Sequence, residues 1–211
     1  MLATQLLSSA QLEVAAAILM NGGLVVLPTD TVYGVAALAR NETAVAAIYR
    51  AKQRPASSAL PVMVATAGQV DAIARPVPGF FQMAKAFWPG PLTLILPSRN
   101  TLPALVTAGQ ATVALRIPDH PLLLQLLRLV AVPLAVTSAN LSGQPPARTA
   151  QEARTQLDGQ VHAILDGGPA PGGQPSTILD LTPVRPRILR PGPITATQIS
   201  SILPSQTAFQ R

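Results

Sequence analysis

The chain has 211 residues, of which 48% are hydrophobic and only 11% charged, enough apolar material for one large domain with a sizeable core. It contains no cysteine, which excludes disulfides, thiolate nucleophiles and zinc–thiolate sites. Its 15 Lys and Arg against 9 Asp and Glu leave a net charge of +6, which suits an anionic ligand such as a nucleotide, a nucleic acid or an acidic membrane surface, and also suits plain solubility charge.

From the N-terminus, Ser9 caps a predicted helix to about Met20, with Leu12, Ala15, Ala16 and Leu19 on one face, and Gly22-Gly23 stops it. Leu24 to Leu27 is an apolar run ending at Pro28, as in a buried strand. Asn41 opens a helix to about Ala51; Pro61–Ala65 reads as a strand and Pro78–Phe87 as a helix. Pro91–Leu96 and Ala111–Ile117 are strand candidates, and Pro121–Val130 is a helix with proline in its first turn. Leu134–Thr137 is a short buried strand, and Thr149-Ala150-Gln151-Glu152 is a capping-box pattern before another helix. Val161–Leu165, Thr177–Leu181 and Arg187–Leu189 are short strands, and Thr195 to Gln198 is a second capping box before a last helix. The alternation predicts an α/β fold with a mixed sheet flanked by helices, in a single domain over 1–211. No basic residue precedes Arg40, so a charged signal-peptide n-region is missing, and no stretch reaches the ~18–20 apolar residues that span a bilayer. A soluble, cytoplasmic protein is expected.

Five segments could carry chemistry. Pro28-Thr29-Asp30-Thr31-Val32-Tyr33-Gly34 lies at the carboxyl end of a strand and before a predicted helix, where α/β sheets bind ligands, although a turn closed by Asp30 explains it as well. Lys52-Gln53-Arg54-Pro55 places an ammonium beside a guanidinium, a pair that can hold polyphosphate; the same residues suit a helix C-terminus whose dipole favours cations. Ser138-Ala139-Asn140-Leu141-Ser142-Gly143 follows a strand and offers hydroxyl, amide and backbone N–H groups to phosphate or ribose, or is a polar turn. Arg116 is the lone charge in an apolar strand and, if buried, needs a partner: Asp119 or an anionic ligand. Gly172 to Thr177 and Leu189-Arg190-Pro191-Gly192 add small hydroxyls and another guanidinium next to turns.

The remaining chemistry narrows the reaction class. There are two histidines, His120 and His162, no G-x-S-x-G elbow, no P-loop, and no close carboxylate pair or metal-ligand cluster. Lys, Arg, Ser, Thr and Asn position and neutralise phosphate rather than move protons.

Together and in order, these motifs resemble the YrdC/TsaC family of threonylcarbamoyl-AMP synthases, from about Leu24 to Pro193. Phe87-Trp88-Pro89-Gly90-Pro91-Leu92-Thr93 and Arg116-Ile117-Pro118-Asp119-His120-Pro121 share the resemblance. It implies a twisted open sheet with a concave basic face. It also implies a nucleotidyltransferase that takes L-threonine, bicarbonate and ATP, with Mg2+, to threonylcarbamoyl-AMP and pyrophosphate. A separate transferase would then modify adenosine 37 of tRNA. By the same resemblance Thr31, Met63, Arg116, Val136 and Ser176 hold L-threonine. Lys52, Arg54, Ser58, Thr112, Ser138, Asn140, Pro146 and Arg190 hold ATP, with Lys52 and Arg54 catalytic; no metal ligands are expected from the protein. Ser58 and Met63 depart from the family, which often has Lys and His there. Since the sequence ends at Arg211, the single-domain form of the family is the one it resembles. Competing expectations are a paralogue of the same fold with weak or different activity, and a double-stranded RNA or tRNA-binding module on the basic face. With 3% aromatics, base stacking on single strands is not expected.

Overall fold

The computed structural model describes residues 3–203. Its strands are β1 (Gln5–Leu7), β2 (Val25–Leu27), β3 (Gly34–Leu38), β4 (Val62–Met63), β5 (Leu92–Pro97), β6 (Thr112–Arg116), β7 (Leu134–Ser138), β8 (Ala163–Leu165), β9 (Thr177–Asp180) and β10 (Arg187–Arg190). Its helices are α1 (Leu12–Met20), α2 (Glu42–Lys52), α3 (Phe80–Phe87), α4 (Ala104–Thr107), α5 (Pro121–Val130), α6 (Ala150–Leu157) and α7 (Ala196–Ile202). Among the described residues the strands form one mixed sheet in the order β1-β8-β2-β3-β7-β4-β6-β5-β9-β10. Four pairs are parallel (β1–β8, β2–β8, β4–β6, β5–β9) and five antiparallel (β2–β3, β3–β7, β4–β7, β5–β6, β9–β10).

Both faces of this sheet are dry, which is why its central strands are continuous apolar runs. Along β2, Val25 and Leu27 pack with α1 and α5 residues such as Leu12, Leu19, Leu123 and Leu127. Their neighbours Leu24 and Val26 point to the other face, against α2, α3 and α6 residues including Ile48, Phe80 and Leu157. Helix starts are set by side-chain oxygens: Asn41 Oδ1 accepts from Ala44 N (3.0 Å), and Thr149 Oγ1 from Glu152 N (3.1 Å). At Thr149 the box is open, because Glu152 Oε2 accepts from Arg148 N (2.7 Å) instead. Thr195 does form the reciprocal box with Gln198.

Three sequence expectations are corrected. Gly34 does not lead into a helix; it begins β3, so Pro28–Tyr33 is the turn of a β2–β3 hairpin. The strand read as Pro61–Ala65 is only Val62–Met63, held between β6 and β7. The first helix begins as a 3-10 turn over Ser9–Gln11. The hairpin matters most: it sets Thr29–Thr31 at the same sheet edge as the ends of β4, β6 and β7.

Candidate functional site

Register brings the site together. In parallel β4 and β6, Met63 lies beside Arg116; in antiparallel β3 and β7, Gly34 lies opposite Ser138. In parallel β5 and β9, Leu92 is beside Thr177, which carries Ser176 in next to Thr93. A cavity of ≈ 190 Å³ opens at this edge, walled by Thr31, Arg54, Met63, Arg116, Val136, Ser138, Ser176 and Arg190, with Thr29, Tyr33, Thr93 and Ile178 among the others. Eight of the thirteen residues implied by the sequence resemblance therefore line one space.

Arg116 anchors one end. It is 3% exposed, and its Nε donates to Gly90 O (2.9 Å). Nη2 donates to both oxygens of Asp30 (2.6 Å each), so the partner of this buried cation is Asp30 in the hairpin turn and not Asp119. Burial pushes the Arg116 pKa down and Asp30 opposes it. Nη1 donates to Thr31 Oγ1 (3.1 Å). Thr29 Oγ1 donates to Val32 O (2.7 Å) and accepts from Thr31 N (3.0 Å), so at the 2.9 Å contact between the two hydroxyls Thr31 is the donor. The Thr31 hydroxyl is thus oriented from both sides before any ligand arrives. Met63 and Val136 give this end an apolar wall.

Arg54 and Arg190 line the same cavity, and each is braced by carbonyl oxygens. Arg54 Nε donates to Ser58 O (3.1 Å) and Nη2 to Ala59 O (3.0 Å). Arg190 donates to Ser176 O from Nε (3.0 Å) and from Nη2 (2.8 Å), and Nη2 also reaches Ser176 Oγ (3.1 Å). Ser176 Oγ is within 2.8 Å of Thr93 Oγ1. Among the described residues, Nη1 of Arg54 and Nη1 of Arg190 have no protein partner and are open to an incoming anion. The Arg190 pKa is lowered by burial first, then by Arg116 and Arg54, so the three guanidiniums share one positive field. One carboxylate, Asp30, sits against them. A phosphate chain entering here finds rigid forks and a net attraction.

Five of the predicted residues are not in the wall. Thr112 starts β6, at the far end of the strand from Arg116, paired with Pro97. Ser58 contributes its carbonyl, which accepts from both Arg54 and Tyr49 Oη (2.9 Å). Pro146 lies in the segment between β7 and α6. Asn140 is buried; its Nδ2 donates to Leu141 O and Gln144 O (2.8 Å each). Lys52 is 1% exposed behind the Ser138–Asn140 segment, where Nζ donates to Ser138 O, Asn140 O and Asn140 Oδ1. Burial, then Arg54, pushes the Lys52 pKa down to about 7, while the three accepting oxygens favour the ammonium. Gln53, in the left-handed region at φ 51°, ends α2 and turns the chain so that Lys52 and Arg54 diverge. Thr93 is a site residue to which the sequence assigned no binding role, whereas Thr29 and Asp30 lie in a motif whose hydroxyls and carboxylate it read as able to hold a small polar ligand.

Backbone packing holds the mouth in shape. Gly173 N donates to Thr31 O (2.8 Å), and a Cβ on Gly172 would lie 2.5 Å from Asp30 O and 3.0 Å from Thr31 Cα. Gly172→Ala is expected to lower stability by ~1–3 kcal/mol, because the obstructing atoms are backbone and cannot rotate away. Thermal denaturation checks this against Gly68→Ala, whose added methyl meets nothing nearer than 3.9 Å.

Residues 17–192 match the Sua5–YciO–YrdC family, described as telomere recombination. The chain is 45% identical over 195 residues to the threonylcarbamoyl-AMP synthase of Bacillus subtilis, covering 92% of this chain and 56% of that protein. It is 35% identical over 187 residues to the threonylcarbamoyl-AMP synthase of Pseudomonas aeruginosa, covering 88% of this chain and 100% of that one. The crystal structure of Pyrococcus abyssi Sua5 complexed with L-threonine superposes with a TM-score of 0.93 at 37% identity, over 98% of this chain and 63% of that one. The chain thus spans a little over half the length of the Bacillus subtilis and Pyrococcus abyssi relatives, at 56% and 57%.

Proposed function

The chain belongs to the Sua5–YciO–YrdC family, and from that premise we propose that it is an L-threonylcarbamoyladenylate synthase, making threonylcarbamoyl-AMP and pyrophosphate from L-threonine, bicarbonate and ATP. The observation that carries this reading is one cavity that holds together a buried arginine beside an oriented hydroxyl and two braced arginines with unpartnered Nη1 atoms. The amino-acid carboxylate goes to the one unspent Nη1–H of Arg116, and the Thr31 hydroxyl, whose proton is held by Thr29, accepts from the amine; Ser176 lies opposite, with Met63 and Val136 against the side chain. The triphosphate goes to Arg54 and Arg190, with Ser138 beside it; Ser58, Thr112, Asn140 and Pro146 act from around that end.

The threonine amine captures CO2 derived from bicarbonate as a carbamate, and a carbamate oxygen attacks the α-phosphorus of ATP. The bond to the bridging oxygen breaks and pyrophosphate leaves. Arg54 and Arg190 neutralise its charge, and Arg116 and Thr31 hold the nucleophile in line. Proximity and charge stabilisation supply the acceleration, so a strong general base is not needed. Among the described residues no three His, Asp or Glu side chains gather into a metal cage. Mg2+ would arrive as part of the substrate MgATP, held by phosphate and water oxygens.

The product would pass to a separate transferase acting on adenosine 37 of tRNA. Among the described residues no helix is long and apolar enough to cross a membrane, and the cytoplasm is proposed as the site of action because the product serves tRNA modification. Met63, Thr112, Arg116, Val136, Ser138 and Arg190 lie on strands of one continuous sheet, which supports a single catalytic domain. The test is to incubate the protein with L-threonine, bicarbonate, ATP and Mg2+ and to measure pyrophosphate and threonylcarbamoyl-AMP. Formation of both is expected; a folded, ATP-binding protein that yields neither overturns the reading.

A further inference from the structure

The nucleotide end has an asymmetry among its cations. Arg54 and Arg190 line the cavity and each keeps an Nη1 with no protein partner among the described residues, whereas the ammonium two residues before Arg54 keeps nothing. Lys52 lies outside the cavity wall and has three N–H donors, and three oxygens (Ser138 O, Asn140 O and Asn140 Oδ1) receive them. The same stretch returns a bond to the helix end: Ser142 N donates to Lys52 O (2.9 Å). On its other side, Ala139 N donates to Tyr33 O (2.7 Å), tying it to the β2–β3 hairpin. Ser138 lines the cavity, and its Oγ has no partner among the described residues.

We propose that Lys52 is a positioning residue, whose ammonium gathers the oxygens of Ser138 and Asn140 and thereby fixes the loop that presents Ser138 to the nucleotide. The inference rests on the synthase reading for the identity of that ligand and on geometry for the rest. Charge-assisted hydrogen bonds to main-chain oxygens are strong in a buried setting, and without the ammonium those oxygens would be orphaned away from water. The loop would then open to hydrate them, and Ser138 would move with it. A direct phosphate ligand would instead need at least one N–H aimed into the cavity, and Lys52 has none to spare.

Lys52→Met and Lys52→Gln separate the two roles by measurements on the protein without turnover. Amide hydrogen exchange of residues 138–144 in the ligand-free variants is expected to speed up by about tenfold or more. The Kd for ATP is expected to rise by a similar factor, while the Kd for L-threonine alone stays within about twofold, because Thr31, Arg116 and Ser176 lie on other elements. General loss of structure would raise both Kd values. If 138–144 keeps wild-type protection in a folded variant, Lys52 does not hold the loop and the proposal fails, most sharply if ATP affinity falls all the same. Faster exchange with an unchanged ATP Kd overturns it as well. Should Lys52→Met not fold, Lys52→Gln, which keeps two donors, carries both measurements. Failure of the synthase reading would show as absence of product and leave these readouts intact.

Discussion

Arg116→Ala should reduce threonine-dependent pyrophosphate release by about a thousandfold, with most of the loss in kcat/KM for threonine. Nη1 keeps one N–H for the threonine carboxylate and spends the other on orienting Thr31 Oγ1; hydrogen bonds to charged groups contribute ~1.5–3 kcal/mol each, so losing both gives a factor of roughly 10²–10⁴. The same change strands Asp30. Its two carboxylate oxygens now accept from Arg116 at 2.6 Å, on a side chain only 10% exposed. Breaking a buried pair costs about 3–5 kcal/mol, so the variant should also melt earlier. Arg116→Lys separates the two effects. It keeps a positive charge near Asp30 and recovers part of the stability, but it lacks the planar fork that serves Gly90 O, Thr31 Oγ1 and Asp30 at once. Steady-state kinetics and thermal melts on both variants check this. Near wild-type kcat/KM for threonine in Arg116→Ala would remove Arg116 from the site.

The reach of the sequence differs from residue to residue for physical reasons. Arg116 announced itself as a charge in an apolar strand, and burial made a partner obligatory. The sequence offers Asp119, three residues away, or an anionic ligand as the partner, whereas the partner is Asp30, 86 residues away, a distance that only the strand order closes. The helix ends and turns were legible because Asn41, Thr149 and Thr195 act on their own neighbours. β3 was not, since Gly34–Leu38 is buried on both faces and shows no alternation to mark a strand. Thr93 was invisible as a site residue, because a threonine within a strand is ordinary; only the β5–β9 register sets its hydroxyl against Ser176. Lys52 and Arg54 are adjacent in every sequence argument, yet a single left-handed residue between them sends one behind the loop and the other into the cavity.

Arg54→Ala and Arg190→Ala are expected to weaken ATP far more than AMP. Each guanidinium has its Nε and Nη2 held by carbonyl oxygens, which leaves Nη1 aimed and immobile, so little side-chain entropy is lost when phosphate binds. Removing one such fork should raise the Kd for ATP by roughly 10- to 150-fold, from ~1.5–3 kcal/mol of charge-assisted bonding. AMP lacks the β- and γ-phosphates and should lose much less. Because the contacts are electrostatic and partly open to solvent, the wild-type preference for ATP over AMP should shrink as salt is raised, and shrink less in either variant. The two changes should not behave alike, however. Arg190 also holds Ser176 Oγ (3.1 Å), which belongs to the amino-acid end, so Arg190→Ala should raise the KM for threonine while Arg54→Ala leaves it within about twofold. Calorimetric titration of ATP and AMP, with the threonine KM taken from pyrophosphate release, reads all of these. Equal losses for ATP and AMP in both variants would mean that the arginines grip the adenylate rather than the departing pyrophosphate, and the charge-neutralising step would have to be assigned elsewhere.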